Sequence, residues 1–324
     1  MTTPTRTLIL ATVLLAGSAF AAMATDPGPA DLVDALNSVF GKHPHTRAGH
    51  AEGYCVTGRF TPSPDAPSLS KAPQFAKTVP VIGRYSMGGG NPEAPDNDKG
   101  NARGLALRFD LGDGANTDLV MISAPVFLAK TPKDFFDLLT AIASGDKEKV
   151  GAYFAAHPES KTQGAWLNAR PVPASFAGVN YWGVHAFTMT NVDGEETLMK
   201  FKAIPVAGEL GLTDEEAAAK GTNCLDAELK ERLAKGPAAF ELVAVIGQDG
   251  DPTDDATALW DEDNRQKKPL GTVTIEAIAP EATCDAFSFL PTNLAEGVAG
   301  PANDPIFQIR SPAYAVSFGR RLAP

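Results

Sequence analysis

Apolar and polar residues alternate over several short segments of the chain, which is the pattern of half-buried β-strands. Turn-rich segments such as "GGGNPEAPDNDKG" separate them. One pair flanks "NVDGEE", whose Asp-Gly step is typical of a hairpin turn. The alternation predicts strands over 53–60, 79–86, 104–110, 117–124, 184–191, 196–203, 239–247 and 270–278.

Other segments carry helix signals. Thr131 followed by Pro132 is typical of an N-cap with proline at the first helical position. The sequence predicts helices over 30–40, over "KDFFDLLTAIASG", over "CLDAELKERLAKG" and over 306–322. About eight antiparallel strands interrupted by helices predict an α+β fold built round a β-barrel. The acidic segment 249–268 is predicted to be a solvated loop without chemistry.

The N-terminus has the pattern of a secretory signal peptide. Arg6 precedes an apolar run from Leu8 to Ala22, and small residues follow as far as Ala24. The run is shorter than the ~20 apolar residues of a membrane span. We therefore expect a signal peptide over 1–24, one domain over 25–324, a bacterial periplasmic location and no membrane contact after cleavage.

Charge and cysteine content narrow the possible partners. The net charge of -11 makes nucleic acid or anionic lipid an unfavourable partner. Three cysteines are too few for a disulfide scaffold, but an exported protein can oxidise one pair. Because Cys55 lies in a predicted strand beside a candidate motif, we favour Cys224 with Cys284, although spacing alone does not choose the pair.

Two distant stretches carry candidate chemistry, "HPHTRAGHAEGYCVTGRF" over 43–60 and "IRSPAYAVSFGRRL" over 309–322. On a helix, Arg310 and Tyr314 share a face one turn apart, and Arg321 follows two turns later. A cation beside a phenol favours the phenolate, a hard anionic ligand for ferric iron and one of the known axial ligands of haem. The same spacing is also common where two side chains only pack together.

Six segments together resemble the haem catalases, in the order of that family. They are "RAGHAEGYCVTGRF", "VIGRYSMGG", "NARGLALRFD", "APVFLAKTPKDFF", "GVHAFTMTNVDGE" and "FLPTNLAEGVAGPANDPIFQIRSPAY". The sequence ends soon after the last of them, and in this it resembles the catalase-related peroxidases, small exported relatives. The resemblance implies a catalase-like barrel of about eight strands, flanking helices and a C-terminal helix on the proximal side of a haem.

The resemblance also implies roles for single residues. His50 would be the distal acid–base group and Ser86 the group that orients it. Tyr314 would be the axial ligand of the iron, and Arg310 would keep it ionised. His185 and Asp304 would extend this network behind the iron, since a buried arginine needs hydrogen-bonded partners.

Further positions match residues that contact the haem in the family. Arg47, Arg84 and Arg321 would bind the haem propionates, because a guanidinium group makes two parallel bonds to a carboxylate. Three aromatic residues would pack round the cofactor: Phe127 and Phe135 in the distal pocket and Phe289 near the porphyrin edge. The implied cofactor is haem b.

Two positions depart from the catalase pattern. Catalases have a distal asparagine shortly before the proline of the motif that corresponds to "MISAPVF". This chain has no asparagine there, and Ser123 is the residue that could supply a hydrogen bond. The channel aspartate of catalases aligns with Asn101. Both changes favour a peroxidase over rapid oxygen release.

The sequence therefore predicts a haem peroxidase that reduces hydrogen peroxide or small organic hydroperoxides with an organic electron donor, with weak catalase activity. Alternatives are a small true catalase, a hydroperoxide isomerase on the same scaffold and, in a different class, a haem carrier or sensor. The missing C-terminal segments predict a monomer or homodimer.

Overall fold

The computed structural model describes residues 26–323. The strands are β1 (Gly53–Pro62), β2 (Val79–Met87), β3 (Arg103–Gly112), β4 (Ala115–Ile122), β5 (Val172–Pro173), β6 (Tyr181–Trp182), β7 (Phe187–Thr190), β8 (Glu196–Pro205), β9 (Gly211–Leu212), β10 (Ala238–Ile246), β11 (Lys267–Ile278) and β12 (Val298–Ala299). The helices are α1 (Pro29–Phe40), α2 (Pro132–Ala143), α3 (Lys147–Ala156), α4 (Lys161–Asn168), α5 (Asp214–Lys220), α6 (Cys224–Lys235), α7 (Glu281–Asp285) and α8 (Pro305–Leu322).

Eight strands close into an antiparallel barrel in the order β10-β11-β1-β2-β3-β4-β6-β8, and β8 pairs with β10 to complete the ring. The α+β fold and the barrel of about eight strands that the sequence predicts are thereby confirmed. β7 and β12 continue the sheet beside β8. The short strands β5 and β9 form a separate pair.

Alternation along the strands builds the barrel core. Val56 and Phe60 of β1 point into a core of aliphatic and aromatic side chains, whereas Cys55 belongs to a separate apolar cluster on the other face. Tyr85 stacks on Phe176 with ring centroids 5.3 Å apart inside this core. The outer cluster contains Phe289 and lies against α7. The outer face of β1 and β2 therefore carries the candidate site.

The predicted helices are present, and some elements differ from the sequence-based prediction. Helices α3, α4, α5 and α7 were not predicted, because few of their side chains are buried and they show little apolar periodicity. The short barrel strand β6 was not predicted either. The predicted strand 184–191 is shorter, since only Phe187–Thr190 pairs with β8. The acidic segment is a loop up to Gln266, but Lys267 and Lys268 begin β11. The prediction that the loop is solvated holds only in part, because Ala256, Thr257 and Trp260 are buried.

Helix α8 is fixed at both ends. Asp304 is its N-cap, accepting a hydrogen bond from the Phe307 amide at 3.0 Å, and Pro305 occupies the first helical position. Near its C-terminus, Arg320 forms an ion pair with Asp34 of α1. The helix thus lies against α1 with its polar face toward the segment that precedes β1.

The predicted pairing of Cys224 with Cys284 is wrong. The disulfide joins Cys55 to Cys284, with Cα atoms 5.8 Å apart. Cys55 points away from the barrel core toward α7, whereas Cys224 starts α6 and donates its thiol proton to Asp96 at 3.2 Å. Position in a strand therefore did not keep Cys55 from pairing.

The predicted signal peptide lies outside the described residues. Within 26–323, no helix combines the length and the apolar character that a membrane crossing requires.

Candidate haem site

His50 and Ser86 form a hydrogen-bonded pair on the outer face of the barrel. The Nδ1 atom of His50 lies 2.9 Å from Ser86 Oγ. His50 adopts a left-handed backbone conformation with φ of 55°, an unusual conformation for a residue other than glycine. Arg84 stabilises this turn, because its guanidinium donates to the carbonyl oxygens of His50 at 2.8 Å and Ala51 at 3.0 Å.

Gly104 of β3 leaves the space that this pair occupies. A Cβ atom at this position would lie 2.4 Å from Ser86 Oγ and 2.9 Å from His50 Nδ1. Any larger residue would displace one of the two side chains. The motif "NARGLALRFD" contains this glycine. The need for glycine there follows from the strand register that places Gly104 opposite Ser86, and the sequence alone does not show that register.

The surroundings of His50 keep its imidazole neutral. Burial lowers the pKa of His50 to about 4, and the positive charges of nearby arginines, Arg84 foremost, act in the same direction. A neutral imidazole has one nitrogen lone pair available, as a proton acceptor requires.

Arg310 and Tyr314 meet on α8 as the helical spacing predicts. The guanidinium donates to the phenol oxygen from Nε at 3.1 Å and from Nη2 at 2.9 Å. Two charge-assisted donors on one oxygen favour an oxygen that carries negative charge.

His185 and Asp304 form a buried pair at the start of α8. Nδ1 of His185 lies 2.6 Å from Oδ2 of Asp304, and both side chains are about 1% exposed. Burial lowers the pKa of His185 to about 4, although the hydrogen bond to Asp304 opposes this shift. Its Nε2 atom has no hydrogen-bond partner among the described residues.

The two candidate stretches touch each other across 269 residues of sequence. The Ala48 amide donates to Ser317 Oγ of α8 at 3.1 Å. Nδ1 of His45 lies 3.3 Å from the carbonyl oxygen of Arg321. The chain therefore folds so that the segment bearing His50 lies against the helix bearing Tyr314.

Asp285 links two of the three arginines that the resemblance assigns to the propionates. It accepts from Arg47 at 2.6 Å and from Arg321 at 3.3 Å. Arg47 also donates to the carbonyl oxygen of Cys284 at 2.9 Å. Sequence reasoning missed Asp285, and its position directly after Cys284 becomes meaningful only once the disulfide pairing is known.

These residues fit a haem. Among the described residues, the buried Nε atoms of Arg84 and Arg321 have no hydrogen-bond partner, and propionate carboxylates would supply one. The described residues include no cluster of three or more His, Cys, Asp or Glu side chains suited to a metal ion. A haem iron needs no such cluster, because the porphyrin supplies four ligands and Tyr314 would supply the axial one.

The three predicted aromatic residues fall into two groups. Phe127 and Phe135 contact each other with ring centroids 5.3 Å apart, where α2 follows β4. Phe289 packs on Phe287, 4.9 Å away, in the cluster that contains the disulfide.

The structure also shows what Ser123 and Asn101, the two departures from the catalase pattern, contact. Ser123 is buried, and its Oγ accepts from the Arg103 amide at 2.9 Å, which leaves its own proton available to a second partner. Asn101 donates to the Gly88 carbonyl oxygen at 3.2 Å. Ser123 therefore offers a hydroxyl group and no amide, and Asn101 offers an uncharged amide in place of a carboxylate.

The family model for catalase matches residues 31–324. The chain is 35% identical to the catalase-related peroxidase of Synechococcus elongatus, over 97% of this chain and 94% of that protein. It is 34% identical to the catalase-related peroxidase of Mycolicibacterium paratuberculosis, over 89% and 93%.

Full-length catalases share the fold over part of their length. A bacterial catalase structure superposes with a TM-score of 0.75 at 22% identity, covering 87% of this chain and 58% of that one. A fungal catalase gives the same TM-score at 20% identity, with 61% of its chain covered. The family match, the two relatives of similar length and the shared barrel together show that this chain belongs to the catalase family, with the catalase-related peroxidases.

Proposed function

We propose that this protein is a haem b peroxidase that reduces hydrogen peroxide or small organic hydroperoxides at the expense of an organic electron donor. The observation that carries the proposal is the pairing of a neutral, serine-bound His50 with an arginine-bound Tyr314 on two segments that contact each other. The family membership supports a haem-dependent oxidoreductase that acts on peroxide.

His50 handles the proton in this reaction. In the tautomer that carries its proton on Nδ1, the imidazole donates to Ser86 and its Nε2 lone pair is free. Nε2 takes the proton from one peroxide oxygen and returns it to the other oxygen. This second oxygen then leaves as water or an alcohol. Ser86 and the carbonyl contacts of Arg84 hold the ring in position for both transfers.

A haem, when bound, supplies the electrons that break the O–O bond of the peroxide and accepts replacements from a donor. Tyr314 would hold it by binding the iron through the phenol oxygen, to which Arg310 donates two hydrogen bonds. Arg47, Arg84 and Arg321 would bind its propionates. For each peroxide, two donor molecules AH restore the resting state: ROOH + 2 AH → ROH + H₂O + 2 A•.

Ser123 and Asn101 favour the peroxidase over a small true catalase, because the catalase cycle needs a second peroxide held in place. The intact His50–Ser86 pair argues against a haem carrier, which needs no proton acceptor above the iron. A hydroperoxide isomerase would consume organic hydroperoxide without a donor.

We propose a periplasmic location and a monomer or homodimer. The signal-like N-terminus and the Cys55–Cys284 disulfide support export to an oxidising compartment.

The test is an oxygen electrode with haem-loaded protein and hydrogen peroxide, with and without a chromogenic donor. Fast donor oxidation with little oxygen release is the result we expect. Vigorous oxygen release without donor would identify a small catalase instead, and consumption of an organic hydroperoxide without donor would identify an isomerase.

A further inference from the structure

A cavity of about 440 Å³ lies beside the first residues of β1. Two of the proposed propionate arginines, Arg47 and Arg84, are among its lining residues. The lining also contains residues with no role in the proposed haem site, including Glu52, Tyr54 and Asn223. His50 is not part of the lining, so the cavity is separate from the space where peroxide would react.

We propose that this cavity binds the reducing donor, and that the donor is a small uncharged phenol whose hydroxyl group hydrogen-bonds to Glu52. The inference rests on the proposed peroxidase function and adds to it a donor class and a site.

The position of the cavity suits electron transfer. Because Arg47 and Arg84 would bind propionates, a molecule in the cavity would approach the cofactor from its propionate side. Gly53 also lines the cavity, and a Cβ atom at this position would lie 2.5 Å from the guanidinium carbon of Arg84, so a larger residue would displace that side chain.

Glu52 is suited to accept a phenol proton. Its Oε1 accepts from the Tyr54 hydroxyl at 3.1 Å, whereas its buried Oε2 has no hydrogen-bond partner among the described residues. An unpartnered buried acceptor calls for a ligand that donates. Burial raises the pKa of Glu52 to about 7, with the Asp96 and Asp226 charges acting likewise and Tyr54 and Arg84 acting against them.

The charge of the lining disfavours anionic donors. Four carboxyl groups line the cavity, those of Glu52, Glu93, Glu281 and Asp285, against the two guanidinium groups. Bound propionates would add further negative charge on the arginine side. An uncharged aromatic donor meets no repulsion here and can pack against the ring of Tyr54.

Each phenol would lose one electron and one proton in the cavity. Glu52 takes the hydroxyl proton, a bound haem would take the electron, and the phenol leaves as a phenoxyl radical. Two phenols supply the two electrons that reduction of one peroxide requires, and Glu52 releases each proton to solvent. Proton acceptance at Glu52 makes each electron transfer easier, because the radical leaves uncharged.

The experiment compares haem-loaded wild type with Glu52→Gln, Thr222→Trp and the control Glu215→Gln, which removes an exposed carboxylate from α5. Thr222 is exposed and lines the cavity, so a tryptophan there fills space without disturbing the core. The probes are guaiacol, a phenol, and ferrocyanide, which gives an electron and no proton. Reaction of each protein with peroxide in the absence of donor is measured separately. Guaiacol binding without peroxide is measured by calorimetry, where Thr222→Trp should bind guaiacol several-fold more weakly than wild type.

We expect Glu52→Gln to lower kcat/KM for guaiacol about tenfold or more, the loss typical of a missing proton acceptor, with ferrocyanide oxidation and the peroxide reaction unchanged. The guaiacol rate of wild type should rise through about pH 7, and this rise should vanish in Glu52→Gln. Thr222→Trp should raise KM for guaiacol several-fold, and Glu215→Gln should match wild type.

Guaiacol kinetics unchanged in both cavity variants would overturn the inference while leaving the peroxidase proposal intact. A wild type that fails to react with peroxide at all would instead overturn the proposed function. If Glu52→Gln does not fold, Thr222→Trp alone decides, and an unchanged KM for guaiacol counts against the cavity.

Discussion

At the residue scale, the backbone conformation of His50 matters as much as its ring. The residue lies in the left-handed region at φ 55°, where asparagine is tolerated far better than most residues. His50→Asn should therefore preserve the turn and the Arg84 contacts while removing the proton acceptor. We expect haem binding close to that of wild type and a reaction with peroxide slowed roughly 10²–10⁴-fold, measured by stopped-flow absorbance.

His50→Ala lacks both the ring and the conformational tolerance, so it should lose thermal stability as well as rate. A His50→Asn variant that reacts with peroxide at the wild-type rate would contradict the role of this imidazole.

Gly104 tests whether the His50–Ser86 pair must be held together. In Gly104→Ala the new methyl group would overlap Ser86 Oγ and push the imidazole aside. We expect a slower peroxide reaction with the haem still bound. Gly164→Ala in α4 is the matched control, since a Cβ there has no neighbour within 4 Å and alanine favours helix. Equal peroxide rates in the two variants would show that the close fit at Gly104 has no functional consequence.

At the scale of elements, the disulfide ties the short helix α7 to β1 next to the arginines. Asp285 and the Cys284 carbonyl both accept from Arg47, and Glu281 accepts from the Cys55 amide at 2.6 Å. Loss of the disulfide should therefore loosen α7, whose Asp285 orients Arg47 and Arg321.

We expect Cys284→Ala to release haem to apomyoglobin several-fold faster than wild type. It should also lower the free energy of unfolding by roughly 2–5 kcal/mol. Cys224→Ser is the control, because its thiol bonds only to Asp96 within the described residues. Haem release at the same rate from both variants would show that the disulfide does not contribute to haem retention.

The elements also show which structural features the sequence alone can predict. Alternating strands and the Thr131 cap of α2 were predictable, because each depends on local pattern and on local capping chemistry. The close spacing of Arg310 and Tyr314 followed from helical periodicity. By contrast, the role of Asp285 and the disulfide partner of Cys55 depend on which face of β1 meets α7. The requirement for glycine at position 104 depends on the register of β2 with β3. No short-range sequence pattern specifies either feature. The roles of His50 and Ser86 came from family resemblance.

At the scale of the whole molecule, two histidines couple stability to pH, the buried His185 and the partly buried His50. Their pKa values near 4 in the folded protein lie below the ordinary 6.5, so the unfolded chain binds more protons between these values. Stability should be fully present above about pH 6.5 and fall as the pH drops toward 4.

The expected loss is at most roughly 3 kcal/mol for each histidine, by linkage of a shift of this size. Urea unfolding followed at several pH values measures it. His50→Asn should have a shallower slope than wild type between pH 6.5 and 4. A slope that is the same in both proteins would mean that the folded protein does not keep His50 neutral over this range.

The central claim is that Tyr314 is the axial ligand of a bound haem, and a haem titration followed by absorbance tests it most directly. Wild type should bind one haem per chain with the ferric spectrum of a phenolate-ligated iron. Tyr314→Phe should lose that spectrum and bind haem more weakly, with its far-ultraviolet circular dichroism unchanged. An unchanged spectrum and unchanged affinity in Tyr314→Phe would contradict the assignment.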